Sequence, residues 1–325
     1  MMLRGLFAVL VVLAGWTTPV VAQGSDDALG WLERMAGAAR QLNYVGTFTY
    51  LSDQRFETMR IAHALRGDGE VERLETLDGS PREVIRKNGE VRCVLPGLKT
   101  VIIDRQGRRR AFPGRLPVSV GQLGEHYRFV KGAEGRVAGR MSQSVRLEPL
   151  DNLRFGHELW ADLETGLLLK ARVLDEKGKV VEQFVFNDVH IGGDVDAAQL
   201  QGQYDAGSDW HVVNARGNEA EVASVHWTLS EVVPGYRLVS TVRRAVTGES
   251  NDVLHMVYSD GLAHISVFIE PASKGDEQAP ATGFLTAGSI GVYARNYAGY
   301  RLTVLGEAPK EALRRVGDGM EYQGD

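Results

Sequence analysis

Residues 167–186 read LLLKARVLDEKGKVVEQFVF. Two apolar-rich runs, Leu167–Leu174 and Val180–Phe186, flank Glu176-Lys177-Gly178. This spacing predicts a β-hairpin. In the first run Leu167, Leu169, Ala171 and Val173 share one face, and Leu168, Lys170, Arg172 and Leu174 share the other. In the second, Val181 and Val185 oppose a face carrying Val180, Phe184 and Phe186. A sheet apolar on one face and half-apolar on the other must wrap around something or lie under a helix. The expected fold is therefore mainly β with a few helices: an unclosed antiparallel half-barrel with a greasy interior.

The same pattern extends upstream. Tyr44–Leu51 (YVGTFTYL) is rich in β-formers, and Gly67-Asp68-Gly69 separates Phe56–Leu65 from Val71–Leu77. Asp78-Gly79-Ser80-Pro81 is a turn. Asn88-Gly89 then sits between Glu83–Arg86 and Val91–Leu95, a strong two-residue hairpin signal. Strands joined by short turns predict a meander rather than alternating βα units. Before them Ser25 is a good N-cap, with Asp26 and Asp27 in the first turn, where negative charge favours the helix dipole. Leu29, Leu32, Ala36 and Ala39, with Leu42 beyond them, fall at helical spacing, and Trp31 and Met35 widen the stripe. This amphipathic helix is a candidate cover for the sheet.

Downstream, residues 191–217 are rich in Gly, Asp, Ala and Gln without sustained periodicity. They read as a linker. Strand-like segments resume at Tyr236–Val246, Val253–Tyr258 and Leu262–Glu270, with Ser259-Asp260-Gly261 as a tight turn. Ile290–Arg295 and Tyr300–Gly306 form another hairpin, and Pro309–Val316 a short helix with Pro in its first turn. The expected division is a segment 1–22, a half-barrel domain 23–192, a linker 193–220 and a smaller antiparallel β domain 221–325.

The first 22 residues have the three parts of an export signal: a positive charge at Arg4, the apolar run Leu6–Gly15, and small or apolar residues at Pro19-Val20-Val21-Ala22. The run is too short to span a bilayer, which takes about 20 apolar residues. The expectation is cleavage after Ala22 and a protein exported to the periplasm. A single cysteine, Cys93, offers no internal disulfide even in an oxidising compartment. It reads as a small buried hydrophobe in a strand. A formal net charge of -5 argues against nucleic acid as a partner.

No catalytic or metal motif emerges. His157-Glu158 begins like a zinc-protease helix, but the second histidine position is Ala161, and a strand would send His157 and Glu158 to opposite faces. Gly288-Ser289-Ile290-Gly291 is out of register for a nucleophile elbow. His255 and His264 could approach across a hairpin, although solvated strand faces are the commoner case. Carboxylates are evenly spread, so no acid–base pair stands out. The chain reads as a binding protein without cofactor, not an enzyme. Two basic clusters stand out in an acidic chain: Arg108, Arg109 and Arg110, and Arg243 with Arg244. Each is a candidate contact for an anion or an acidic partner, against the plainer reading of a solvated turn. The tryptophans read as packing residues before binding platforms.

Several stretches in order resemble the RseB/MucB family of periplasmic regulators of the envelope-stress sigma factor. They are the opening helix into Leu42-Asn43-Tyr44; Leu77-Asp78-Gly79-Ser80-Pro81-Arg82-Glu83-Val84; Leu159-Trp160-Ala161-Asp162 with Thr165-Gly166-Leu167; Glu182-Gln183-Phe184; Tyr258-Ser259-Asp260-Gly261-Leu262 with Ser266-Val267; and Thr303-Val304-Leu305-Gly306-Glu307-Ala308-Pro309. The resemblance covers nearly the whole chain after residue 22. It departs at Arg108–Arg110, at the following Phe112–Gly124 loop and at Gly283–Tyr297.

The resemblance implies a larger domain like the LolA/LolB lipoprotein carriers, an unclosed barrel with helices at its mouth, and a smaller twisted sheet. It implies binding to the periplasmic segment of a single-span anti-sigma factor, shielding that segment from regulated proteolysis, with release by lipid or lipopolysaccharide fragments. Self-association is compatible with it. A greasy half-barrel suits an acyl chain, at about 0.8 kcal/mol per buried CH₂. The candidate lining is Phe48, Tyr50, Trp160, Leu167, Leu169, Phe184 and Phe186. The alternative function is a lipid or lipoprotein carrier using the same trough.

Overall fold

The computed structural model describes residues 23–53, 55–67, 69–105, 112–114, 116–117, 119–219, 225–230, 233–245, 252–272 and 282–324. The export-signal reading of residues 1–22 and the Arg108–Arg110 cluster lie outside the described residues, as does the side chain of Arg244.

Helix α1 (Gln23–Gln41) opens the described chain. It is followed by β1 (Tyr44–Ser52), β2 (Arg55–Arg66), β3 (Gly69–Thr76), β4 (Glu83–Lys87), β5 (Glu90–Leu95) and β6 (Thr100–Arg105). After a 3-10 turn at Val120–Glu125 come β7 (Tyr127–Val137), β8 (Arg140–Pro149), β9 (Gly156–Asp162), β10 (Leu168–Leu174) and β11 (Val180–Ile191). A short helix α2 (Ala197–Leu200) and strand β12 (His211–Asn214) follow. The remainder is β13 (Asn218–Glu219), β14 (Trp227–Leu229), β15 (Arg237–Ala245), β16 (Asp252–Ser259), β17 (His264–Pro271), β18 (Thr282–Ala287), β19 (Ile290–Tyr297), β20 (Tyr300–Gly306), α3 (Lys310–Gly319) and β21 (Met320–Tyr322).

The hairpins fall where turn chemistry places them. Asn88 and Gly89 both have positive φ (53° and 77°), the backbone a two-residue turn between twisted strands requires. Gly178 (φ 76°) closes the β10–β11 hairpin. One twelve-stranded sheet results, in the order β12-β6-β5-β4-β3-β2-β1-β11-β10-β9-β8-β7. Every pairing in it is antiparallel except β12 on β6. Its two end strands do not pair, so the sheet is unclosed. It is also strongly curled. β7 and β11 stand four strands apart, about 19 Å if the sheet were flat, yet they carry Cα pairs within 8 Å.

Curling gives the sheet a concave and a convex face, and α1 packs against β7, β8 and β10. Ala28, Leu32, Met35, Ala36 and Ala39 are all buried in one core with Phe48, Ile61, Val145, Leu147, Leu159 and Phe186. The helix is pinned at the 162–166 turn. Asp162 accepts from Arg140 Nε (2.7 Å) and from the backbone N–H and hydroxyl of Thr165. Arg34 of α1 donates to the Leu163 and Glu164 carbonyls. Gly166 has φ 79°, and a Cβ there would stand 2.5 Å from Arg34 Cγ.

The stretch read as linker, 193–220, lies mostly against the large sheet. Val195 and Leu200 bury Ala62, Ala64 and Val71 on its convex face, and β12 extends its edge. Composition gave no sign of this, because one helical turn and four strand residues are too short for a periodic signal. The second sheet has seven strands in the order β13-β15-β16-β17-β20-β19-β18. Helix α3 covers one face, burying Ala312, Leu313 and Val316 against Tyr293, Leu302 and Val304. The helix begins after Pro309, which serves as its N-cap. The chain then runs on into β21, which pairs with β14.

Candidate functional site

The concave face carries an aromatic cluster set by strand register. Phe48 on β1 pairs with Phe186 on β11, and Tyr50 with Phe184. A bulge between Thr47 and Phe48 brings the rings onto one face. Gly46 permits that approach, because a Cβ there would stand 2.5 Å from the Asp188 carbonyl oxygen. Ring centroids are 4.7 Å apart for Tyr50–Phe184, 5.9 Å for Phe48–Phe186 and 6.2 Å for Phe48–Phe184.

The face over these rings is occupied. Phe112, from the connection between β6 and β7, stacks on Phe184 at 5.4 Å and 10° and lies 5.1 Å from both Phe48 and Phe186. It is fully buried, and Leu116, Val120 and Leu123 follow it into the same core. The expectation of an open, greasy trough at these rings is corrected accordingly: the chain's own phenyl ring fills the place. The physical reason is that an unoccupied apolar trough forfeits dispersion contacts along its whole lining. The signal was in the sequence, as apolar residues at 112, 116, 120 and 123 in a segment that otherwise reads as loop.

The other candidate residues separate. Leu167 and Leu169 are fully buried in the same core. Trp160 faces the opposite side of its strand from Leu159 and Ala161, which are buried. Lys170 Nζ lies 4.3 Å from its ring centroid and Arg172 Cζ 5.2 Å, so the ring is flanked by cations while packing half-buried against the core. Burial lowers the pKa of Lys170, and Arg172 adds to this. Arg243 is exposed on β15. His157 is buried edge-on against Tyr127 at 6.2 Å, while Glu158 reaches Arg172. His255 pairs with Phe268 and stacks on it at 4.2 Å, and His264 pairs with Ser259, so the two histidines are not cross-strand neighbours. Among the described residues no cluster of three or more His, Cys, Asp or Glu side chains could hold a metal ion. Burial raises the pKa of the Cys93 thiol, against the lowering effect of Arg82 and Arg86.

Sequence reasoning missed the joint between the two sheets. Arg154, in the turn between β8 and β9, has a side chain with no exposed surface. It donates to Asp151 Oδ1 and Oδ2 (2.9 and 3.1 Å), to Asp260 Oδ2 (2.9 Å) and to the Pro234 carbonyl (2.6 Å). Asp260 is equally buried and also accepts from the Tyr127 hydroxyl at 3.3 Å. Tyr127 and Tyr236 flank the guanidinium at 5.7 and 5.4 Å. Burial pushes both phenols well above their ordinary pKa, and the Asp260 charge pushes the same way. For Arg154, burial alone would lower the pKa, but the hydrogen bonds it donates to Asp151 and the Asp260 charge leave it raised. A second contact joins Ser289, in the β18–β19 turn, to the buried Glu182 of β11. Gly288 beside it tolerates no side chain, because its Cβ would meet Ser52 Oγ and stand 3.4 Å from the Val181 carbonyl.

Comparison with known proteins places the chain. The model of the MucB/RseB N-terminal domain matches residues 27–204, and that of the C-terminal domain matches residues 221–321. This chain belongs to the MucB/RseB family. It is 35% identical over 311 residues to the sigma factor AlgU regulatory protein MucB of Pseudomonas aeruginosa, covering 94% of this chain and 95% of that protein. It is 24% identical over 318 residues to the sigma-E factor regulatory protein RseB of Escherichia coli, covering 97% of each. Among solved structures it resembles MucB in the Pseudomonas aeruginosa MucA/MucB complex, with TM-score 0.72 and 32% identity, over 92% of this chain and all of that one. Relatives across the MucB/RseB family thus carry regulatory names, and the likeness spans both sheets.

Proposed function

We propose that this protein is a periplasmic negative regulator of an extracytoplasmic stress sigma factor. It binds the periplasmic segment of a membrane anti-sigma factor and shields it from regulated proteolysis. The observation that carries this reading is the match of both MucB/RseB domains, in order, with the fold of a MucB chain solved in complex with MucA. In this reading residues 23–192 form a half-barrel covered by α1 and by Phe112, Leu116, Val120 and Leu123, 221–325 form the smaller domain, and 193–220 connect them. The curl of the unclosed sheet and the helix packed against it support the half-barrel. The joint at Arg154 favours the regulator over a simple carrier, because a carrier needs the trough alone.

Shielding works by mass action. A bound peptide is withdrawn from the extended form that a protease requires, so cleavage follows the free fraction. Lipid or lipopolysaccharide fragments release the peptide if they bind the peptide-free state better. Arg243, and Arg108–Arg110 beside the plugged trough in sequence, are the proposed anion contacts. The test mixes protein from residue 23 onward with the periplasmic segment of the cognate anti-sigma factor and the first protease of the cascade. Cleavage falls in proportion to occupancy; cleavage at an unchanged rate under saturating protein overturns the proposal.

A further inference from the structure

We infer that Lys170, Arg172 and Trp160 form a docking site for an extended, acidic segment of a protein partner. Strand register builds the site. Trp160 on β9 pairs with Lys170 on β10, and Glu158 pairs with Arg172. On the other side of β10, Lys170 pairs with Val185 and Arg172 with Gln183 of β11. The Lys170 ammonium stands 4.3 Å from the indole centroid and the Arg172 guanidinium carbon 5.2 Å, so two cations share one ring. The face of an indole attracts cations through its quadrupole but has no net charge with which to neutralise them.

The two cations are unequally compensated. Arg172 donates from Nε to Gln183 Oε1 at 2.7 Å and from Nη1 to Glu158 Oε2 at 3.5 Å. Its Nη2 bonds nothing among the described residues, and the Lys170 ammonium makes no hydrogen bond or ion pair among them. Lysine ordinarily extends its stem to keep the ammonium in water. Here it is half-buried beside a like charge, and burial with the Arg172 charge lowers its pKa against the raising effect of Glu158. The neighbouring strands do not close the deficit. Arg146, which pairs with Glu158 from β8, shares Glu148 with Arg128. Lys170, Arg172, Arg146 and Arg128 thus face only Glu158 and Glu148, in a chain whose formal net charge is -5. The missing partner is an anion. The Lys170 N–H groups and Arg172 Nη2 offer donors beside one ring, enough for the two oxygens of a carboxylate, and such charge-assisted bonds are about twice as strong as neutral ones. Trp160, Val185 and, one strand further, Thr49 give an uncharged seat for the side chains flanking that carboxylate. A phosphate would need more converging donors than this seat supplies.

The experiment uses the chain from residue 23 onward and a fluorescein-labelled peptide alternating glutamate with serine and leucine, read by anisotropy. A counterpart with glutamine for glutamate is the control. The parent binds the acidic peptide, more weakly as salt rises, and does not bind the glutamine peptide. Lys170→Met, which keeps an apolar stem over the indole, binds at least about tenfold more weakly, while Lys170→Arg stays near the parent. Lys310→Gln removes an exposed cation on α3 and changes nothing. Lys170→Met keeps its urea midpoint or raises it, because the repulsion from Arg172 is relieved. A lowered midpoint with peptide affinity intact would make Lys170 a structural residue and overturn the proposal. Equal binding of the two peptides overturns it too. So does displacement of the acidic peptide by inorganic phosphate at far lower concentration than by acetate, which would assign the site to phosphate. None of these outcomes bears on shielding of the anti-sigma segment, which protease cleavage scores separately.

Discussion

Replacing Arg154 with Met removes the centre of the joint while keeping much of the side chain's length and apolar bulk. The guanidinium reaches four acceptor atoms, two on Asp151 in its own turn and one each on Asp260 and Pro234. The loss at Asp151 is small, because that side chain is 28% exposed and can turn to water. Asp260 cannot, since its side chain has no exposed surface. It keeps the amides of Leu262 and Ala263 and the Tyr127 hydroxyl, yet it is left as a buried carboxylate with no cation. Breaking a buried pair from one side costs about 3–5 kcal/mol. That range is the expected destabilisation, because the retained donors soften the penalty while the lost Pro234 contact adds to it. Urea unfolding, followed by circular dichroism and by tryptophan fluorescence, measures it. The two transitions coincide in the parent and separate in the variant, because the lost bonds are those that couple the sheets. The double variant Arg154→Met/Asp260→Leu carries no orphaned charge and recovers at least half of the loss. A destabilisation below about 1 kcal/mol with coincident transitions would refute the reasoning, since it would make the pair no better than a solvated one.

Two further perturbations test other parts of the argument. Burial lifts the Tyr258 phenol to about 12, and burial with the Asp318 hydrogen bond does the same for Tyr293; Tyr127 and Tyr236 are also raised. These groups stay protonated in the fold and ionise near 10 once unfolded, so the unfolded chain binds fewer protons and stability falls as pH rises from about 10 towards 12. Phenolate absorbance during titration should show late-ionising tyrosines, and finding every tyrosine ionised near 10 in folded protein would contradict the burial argument. Gly166→Ala combines a strained φ of 79° with a clash at Arg34; its expected cost is about 1–2 kcal/mol, seen as a lower urea midpoint, and an unchanged midpoint would remove the turn's role in pinning α1.

Much of the fold was legible because its signals are local. Asn88-Gly89 and Glu176-Lys177-Gly178 specify their turns within a few residues, and the stripe from Leu29 to Ala39 identifies α1 as an amphipathic helix that must pack on something. Phe48, Tyr50, Phe184 and Phe186 stand together because alternation along a strand decides which side chains share a face. Trp160 lies beside Lys170 and Arg172. The neighbours that decide its face are Leu159, Ala161 and the cross-strand Lys170, and only the last is remote in sequence. Phe112 was legible only as one of the apolar residues at 112, 116, 120 and 123; its direction was not, because a connecting segment has no period to say which way its apolar residues point.

The arginines show the limit most plainly. A run such as Arg108–Arg110 draws the eye because its charge density is high, but like charges packed together resist burial and favour a solvated site. A buried arginine has the opposite appearance. Arg154 stands alone between Leu153 and Phe155, with one carboxylate three residues earlier at Asp151. Its second carboxylate, Asp260, lies 106 residues away on another sheet. Desolvating a guanidinium is tolerable only where several acceptors converge on it, and acceptors from two domains converge only after both have folded. The residue that joins the sheets is therefore the kind of charge a sequence conceals, and the same holds for Glu182, which finds Ser289 across the second contact.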